Sequence, residues 1–353
     1  MTNEISIAGR KIGSQFTPYV IAEMSANHNG SLESALRIIN EAKNAGADAV
    51  KIQTYRADTI TLKSDRPDFQ IKDGLWAGRS LYELYEWAST PWEWHATLFE
   101  HARKIGITLF SSPFDTTAVD LLEKLGTPAY KIASFEAIDL HLIRYVARTG
   151  KPMIISTGMS DAQEIQEAVD AAKEGGCQEL AILHCVSGYP APASDYNLRT
   201  LTDMRSRFGL VTGLSDHTLE NTTAFASIAL GASIIEKHFT LNRDGGGPDD
   251  PFSLEPPELR ELCQGARTAW DAMGTVDYTR KSSEIGNAKF RRSLYFVKPL
   301  KAGERVRYDT VRSVRPGFGL APKYLDQVLG AVLKADVEFG TAVSWDLLEP
   351  KVL

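Results

Sequence analysis

Short apolar runs punctuate most of the chain, and a stretch with helical periodicity follows each one. The runs are Tyr19–Ala22, Ala49–Ile52, Thr108–Phe110, Ala129–Ile132, Met153–Ile155, Leu180–Leu183, Leu210–Thr212 and Ser233–Glu236. They are too brief for helices and lack the apolar–polar alternation of a strand with one wet face. They read as strands of a parallel sheet covered on both sides. The intervening segments 32–45, 92–104, 116–125, 139–149, 161–174, 197–207 and 220–230 read as amphipathic helices, with 255–274 supplying the last. This α/β alternation predicts a (β/α)8 TIM barrel.

Before the barrel, residues 4–15 predict a hairpin that turns near Ala8-Gly9. The connection 54–91 is far longer than its counterparts and carries Lys63, Arg66, Lys72, Trp76 and Arg79. Long loops in compact domains are functional or disordered, so a lid is expected here. The aromatic group Tyr82, Tyr85, Trp87, Trp92 and Trp94 reads as packing. The rhythm stops near residue 275: 276–289 is a polar linker, and 290–353 shows short β-like pieces, Ser293–Val297 and Val311–Val314, between turns. The domain reading is therefore 1–275, a barrel with its hairpin, followed by the linker and a small β-rich domain over 290–353.

Composition narrows the partners. The chain has 353 residues, 43% of them hydrophobic, enough for a large core, and a formal charge of -6. Acidic and basic residues are interspersed, so a nucleic-acid partner is not expected. No window reaches the roughly 18 apolar residues of a membrane span, and Met1–Gly13 has no signal-like apolar segment. Cys177, Cys185 and Cys263 are scattered, which argues against a disulfide framework. A cytoplasmic protein is expected.

Active sites of such barrels lie at the C-terminal ends of the strands. The expected strands end in polar residues: Glu23; Lys51 and Gln53; Ser111 and Ser112; Lys131, then Ser134 and Glu136; Ser156 and Thr157; Ser187 and Tyr189; Ser215, Asp216 and His217; Lys237 and His238. Two lysines among hydroxyls suit a small phosphorylated or carboxylated anion. Their bland alternative is structural pairing with Glu23 and Glu136. His217 and His238 on neighbouring strands can share one divalent cation, whereas His184 reads as a core histidine. Glu23, Glu136 and Asp249 are candidates for acid–base work or hydroxyl recognition. The run Gly245-Gly246-Gly247 opens no helix, so it reads as a flexible rim loop rather than a phosphate loop.

Several motifs resemble the sialic acid synthase family. They include Asn27-His28-Asn29-Gly30, Lys51-Ile52-Gln53-Thr54, Lys131-Ile132-Ala133-Ser134, Ser156-Thr157-Gly158-Met159, Leu183-His184-Cys185, Leu214-Ser215-Asp216-His217 and Glu236-Lys237-His238-Phe239. The tail resembles that family's antifreeze-like (SAF) domain, with Arg315-Pro316-Gly317 matching its substrate-contacting arginine motif. Ala133-Ser134-Phe135-Glu136 and Ser187-Gly188-Tyr189-Pro190 are similar to the branch that makes pseudaminic acid.

The resemblance implies a transferase that condenses phosphoenolpyruvate with open-chain 2,4-diacetamido-2,4,6-trideoxy-altropyranose and releases phosphate by C–O cleavage. N-acetylmannosamine and a legionaminic precursor are alternative acceptors. It assigns Lys51, Ser112, Lys131, Ser134, Ser156, Ser187 and Ser215 to phosphoenolpyruvate. Gln53, Glu136, Tyr189, Asp249 and Arg315 go to the sugar, His217 and His238 to manganese or magnesium, and Glu23 lies between donor and sugar, where proton transfer is its expected work. It also implies a domain-swapped homodimer. Two other readings stay open: a Schiff-base pyruvate aldolase using Lys131, and a sugar- or ice-binding protein without activity.

Overall fold

The computed structural model describes residues 4–349, in two compact units, 1–274 and 275–353. The first opens with the antiparallel hairpin β1 (Glu4–Ile7) and β2 (Arg10–Gly13). The parallel strands β3 (Tyr19–Glu23), β4 (Ala49–Thr54), β5 (Thr108–Pro113), β6 (Tyr130–Ile132), β7 (Met153–Ser156), β8 (Leu180–Cys185), β9 (Val211–Asp216) and β10 (Ile234–His238) then follow. They close on themselves, with β10 pairing both β9 and β3. Most strands run one to four residues beyond the apolar runs of the sequence. Backbone pairing continues under polar side chains, so hydrophobicity under-reports the strand ends that carry the chemistry.

Period-two alternation sorts each strand into two layers. Val20, Val50, Leu109, Ile155, Ile182 and Ile235 join the core under the helices. Tyr19, Ile21, Ala49, Phe110, Ile154, Leu183 and Ile234 fill the barrel interior, together with Ile5, Ile7 and Ile12 of the hairpin. The lower part of the barrel is thus plugged by hydrocarbon, and only its C-terminal end is polar. The helices are set by caps: Ser31 opens Leu32–Ala45, which stops at Gly46 with φ of 97°, and Asp115 opens Thr116–Leu125.

The 54–91 connection is an ordered excursion, with helices Ala57–Ile60 and Leu81–Ala88. Its return is anchored by two buried histidines. His95 Nδ1 donates to the Pro91 carbonyl, 3.1 Å away, so Nε2 accepts from Thr54 Oγ1 at 2.8 Å. His28 Nδ1 accepts from the Gly30 amide, so Nε2 donates to Thr90 Oγ1 at 3.3 Å. Burial pushes His28 down to about 4, keeping it neutral. Of the expected aromatic cluster, Trp92 donates to the Tyr55 carbonyl and lies under Arg56, and Trp94 meets His28 edge-on.

The second unit pairs β11 (Ser293–Phe296) with β12 (Val311–Val314) around Leu294, Phe296, Val306, Val328, Leu333 and Val343. Among the described residues, no helix is long and apolar enough to cross a membrane.

Gly213 shows how tightly the barrel interior is filled. A Cβ there would lie 2.5 Å from the Ile234 carbonyl oxygen and 2.7 Å from Leu183 Cδ2, both fixed by the barrel. Gly213→Ala is expected to cost about 1–3 kcal/mol of stability by overpacking, measured by urea unfolding against wild type.

Candidate active site

Above the hydrocarbon plug, the next inward position on four strands carries a charge. Glu23, Lys51, Lys131 and Glu236 come from β3, β4, β6 and β10, each no more than 5% exposed. Lys51 Nζ lies 2.6 Å from Glu23 Oε2 and 3.7 Å from Glu236 Oε1. Lys131 Nζ lies 3.2 Å from the same Glu236 oxygen. Ser112 accepts from Lys51 at 3.3 Å, and Ser215 donates to Glu236 at 3.3 Å. Burial, only partly offset by Lys51, raises Glu23 to about 7. Burial also lowers Lys131 despite Glu236, whereas the two carboxylates outweigh burial at Lys51 and raise it.

Glu236 is the main residue that sequence reasoning missed. It was visible only inside a motif, although alternation places it on the same face as His238, two residues on. The expected structural partner of Lys131, Glu136, is replaced by Glu236. Lys237 corrects in the opposite direction. Its odd register turns it outward, where Nζ binds Asp216 Oδ2 at 2.9 Å and the Thr218 carbonyl at 2.7 Å. Ser111 also faces outward, bonded to Thr54.

The serines gather beside the charges. Ser134 Oγ accepts from the Gly158 amide at 3.1 Å. A Cβ on Gly158 would stand 2.7 Å from Ser134 Oγ and would also collide with Ser187 Oγ. Glycine is therefore needed to bring these hydroxyls and the backbone together. Buried polar atoms usually have partners, yet Ser156 Oγ, Ser187 Oγ, Glu23 Oε1, Glu236 Oε2, Glu136 Oε2 and His238 Nδ1 have none. Their concentration at one end of the barrel marks a site built for a polar ligand. Glu136, lifted to about 7 by burial, borders this space, and half-buried Gln53 sits at the end of β4.

On the other side of the site the two imidazole centroids lie 5.4 Å apart. His217 Nδ1 donates to the Val186 carbonyl at 2.8 Å, which leaves its Nε2 lone pair free. Burial, ahead of neighbouring charges, keeps His238 neutral, and its Nδ1 is 4.0 Å from Asp249 Oδ2. Burial disfavours a charge on His217, but Cys185 and the Val186 carbonyl outweigh it and raise that imidazole above its ordinary value. Two imidazoles this close together fit a divalent cation, which would displace any proton from His217. Among the described residues no group of three or more His, Cys, Asp or Glu side chains could hold a metal. The pair would therefore leave most coordination positions open. Tyr189 covers His217 with ring centroids 4.3 Å apart, and Phe252 packs on Tyr189 and His238. Cys185 lies behind, with Sγ 4.0 Å from His217 Nδ1, while His184 bonds the Tyr196 carbonyl as a core histidine.

The glycine-rich loop is not the flexible rim that its composition suggests. Buried Asp250 accepts from Thr240 Oγ1, Asn29 Nδ2 and the Gly247 amide, and Ser25 Oγ donates to Asp249 at 2.5 Å. Arg315 follows β12 on the second unit and is exposed.

A closed (β/α)8 barrel with a buried lysine–carboxylate set and an imidazole pair at the C-terminal ends of its strands defines a TIM barrel whose polar groups gather where such barrels carry their sites. Residues 38–278 match the NeuB family and 291–349 the SAF domain, and the chain belongs to the NeuB family. It is 44% identical to the pseudaminic acid synthase of Campylobacter jejuni subsp. jejuni (strain 81-176), over 92% of this chain and 95% of that one. It is 35% identical to the N,N'-diacetyllegionaminic acid synthase of Legionella pneumophila, over 96% of each. The solved N-acetylneuraminic acid synthetase of Leptospira borgpetersenii superposes with a TM-score of 0.73 at 31% identity, covering 82% of this chain and 97% of that one.

Removing one member of the buried charge set should expose its balance. Glu236→Ala leaves two buried ammonium groups facing Glu23 alone and is expected to cost about 3–5 kcal/mol. Adding Lys131→Met should recover part of that loss, and a double-mutant cycle by chemical denaturation measures the coupling.

Proposed function

We propose that this protein condenses phosphoenolpyruvate with an open-chain amino sugar, releases phosphate, and in doing so forms pseudaminic acid. The observation that carries the reading is the set of buried, unpartnered polar atoms around Lys51 and Lys131, facing the imidazoles of His217 and His238. The 44% identity to a pseudaminic acid synthase supports the choice of acceptor over the legionaminic precursor and N-acetylmannosamine.

In this mechanism Lys51 and Lys131 hold the donor's phosphate and carboxylate, with Ser112, Ser134, Ser156, Ser187 and Ser215 completing their hydrogen bonds. Gln53, Glu136, Tyr189 and Asp249 orient the sugar aldehyde. His217 and His238 would hold a divalent cation, manganese or magnesium, which supplies Lewis acidity when bound. Carbon three of the donor forms the new bond to the aldehyde carbon, and Glu23 Oε1 gives its proton to the aldehyde oxygen. The carboxylate then takes a proton from the water that adds at carbon two. The carbon-two hydroxyl then passes its proton to the departing phosphate as the C–O bond breaks, and the keto acid remains. Burial, by holding Glu23 near neutrality, suits it to both transfers. The proposal includes a homodimer in which Arg315 of a second copy completes the sugar pocket.

One observation favours a second reading. Lys131 is lowered by burial, as a Schiff-base lysine would be. Its ion pair with Glu236 argues for a permanent charge instead. Trapping with borohydride and pyruvate separates the two: a labelled Lys131 in a chelator-treated, fully active enzyme would sink the condensation.

Phosphate release from phosphoenolpyruvate should require an amino sugar and be fastest with 2,4-diacetamido-2,4,6-trideoxy-altropyranose. Chelation or His238→Ala should abolish it. Preference for N-acetylmannosamine in the same assay overturns the choice of acceptor. The protonated form of Glu23 is the active one, so kcat/KM should fall as pH rises above about 7. Glu23→Gln should lower kcat by about 100-fold or more and remove that limb of the profile.

A further inference from the structure

The long excursion after β4 carries at its middle a small hairpin that touches the site from outside the barrel. Gln70 bridges Ser80, the Ile71 amide donates to the Arg79 carbonyl at 2.9 Å, and the Gly78 amide donates to the Ile71 carbonyl at 2.9 Å. Gly74 and Gly78 turn the chain with φ of 84° and 89°, and Trp76 stands between them. Most of the tip is exposed, with Leu75 52% accessible, but Trp76 is half-buried because it reaches across to a different loop.

That reach has two ends. The indole Nε1 donates to the Pro248 carbonyl at 3.0 Å, one residue before Asp249. The ring lies 6.1 Å from Tyr189, the residue that covers His217. One side chain therefore ties together the excursion, the β10 loop carrying Asp249 and the β8 loop carrying Tyr189. The bond is a single one, on a tip held otherwise by its own turn, so it can be broken without unfolding the barrel. Among the described residues, no hydrogen bond or ion pair joins the tip to the strand-built lysines.

We propose that Trp76 is a latch and a specificity-determining positioning residue. It closes the acceptor side of the site by clamping the Asp249 loop and backing Tyr189, while leaving the donor side untouched. This inference rests on the condensation reading above for its kinetic consequence, but not for its structural one. Opening the latch lets the acceptor bind in several poses and admits water, and neither effect reaches Lys51 or Lys131.

Two variants and two measurements test it. Trp76→Ala should raise the acceptor KM about tenfold or more and leave the phosphoenolpyruvate KM within about twofold. Trp76→Phe keeps the ring but not the N–H, so it should recover only the part of the acceptor KM that backing Tyr189 supplies and fall between wild type and Trp76→Ala. Hydrogen exchange at 245–250 should speed up in both variants, because both lose the bond to Pro248, with the unfolding midpoint little changed. Equal rises in both KM values, or unchanged exchange at 245–250 in Trp76→Ala, overturn the latch. The exchange measurement decides the latch even if wild type releases no phosphate with any amino sugar, an outcome that would defeat the condensation reading instead.

Discussion

Two carboxylates and two ammonium groups buried together above an apolar plug are the constraint around which this barrel is organised. Each ion taken singly out of water costs several kcal/mol. Here the cost is met by mutual pairing, with Lys51 between Glu23 and Glu236 and Lys131 against Glu236. The pairing works only if four different strands hold their inward faces in register, and the parallel closure of β10 on β3 does that by matching His238 with Glu23. The hydrocarbon layer below, sealed by the hairpin's Ile5, Ile7 and Ile12, keeps the local dielectric low and the pairs strong. Fold and site are therefore coupled. The core makes the charges costly, and their cost makes the register exacting.

The site divides into a strand-built half and a loop-built half. The lysines, Glu23, Glu236 and several serines ride on the barrel and cannot move far without breaking it. Tyr189, Asp249 and Trp76 ride on loops that are fixed by specific ties: Asp250 under its glycine amide, Ser25 on Asp249, and the indole on Pro248. On the proposed reading, a barrel of this kind can keep a constant donor pocket while loop changes alter the acceptor. The comparisons fit that view, since relatives named for pseudaminic and legionaminic acids match over nearly the whole chain.

Much of this was legible in the residues. The eight apolar runs were enough to predict the barrel, because strands covered on both faces leave an uninterrupted hydrophobic signature. Glu23, Lys51, Lys131, His217 and His238 were readable because polar residues at strand ends have few structural excuses. What was illegible depended on phase or on tertiary contact. Glu236 and Lys237 are adjacent and both charged, and counting back two residues from His238 selects Glu236, a phase that reading the strand ends as a cluster of polar residues does not resolve. The glycine run looked flexible because composition does not show Asp250 reaching back to the Gly247 amide and Asn29. Trp76 looked like one aromatic in a long loop, since its partner, Pro248, is distant in sequence.

The charge balance also constrains the order of events on the proposed reading. With Glu23 and Glu236 ionised, the two lysines are already neutralised, so the empty pocket has no surplus positive charge to offer. A donor with a phosphoryl group of roughly two negative charges, plus a carboxylate, would leave it strongly negative. Two adjustments are built into the site. Glu23, already lifted to about 7, is pushed further toward its protonated form when an anion arrives, which frees Lys51 from its 2.6 Å ion pair. The imidazole pair, neutral at His238 and shifted toward protonation at His217, can add positive charge by taking up a proton at His217 or a cation between the two. Donor binding, proton uptake and cation binding are then thermodynamically linked, each favouring the others. The same proton that lets the anion in sits on Glu23 when the aldehyde arrives, so charge compensation and acid catalysis draw on one group.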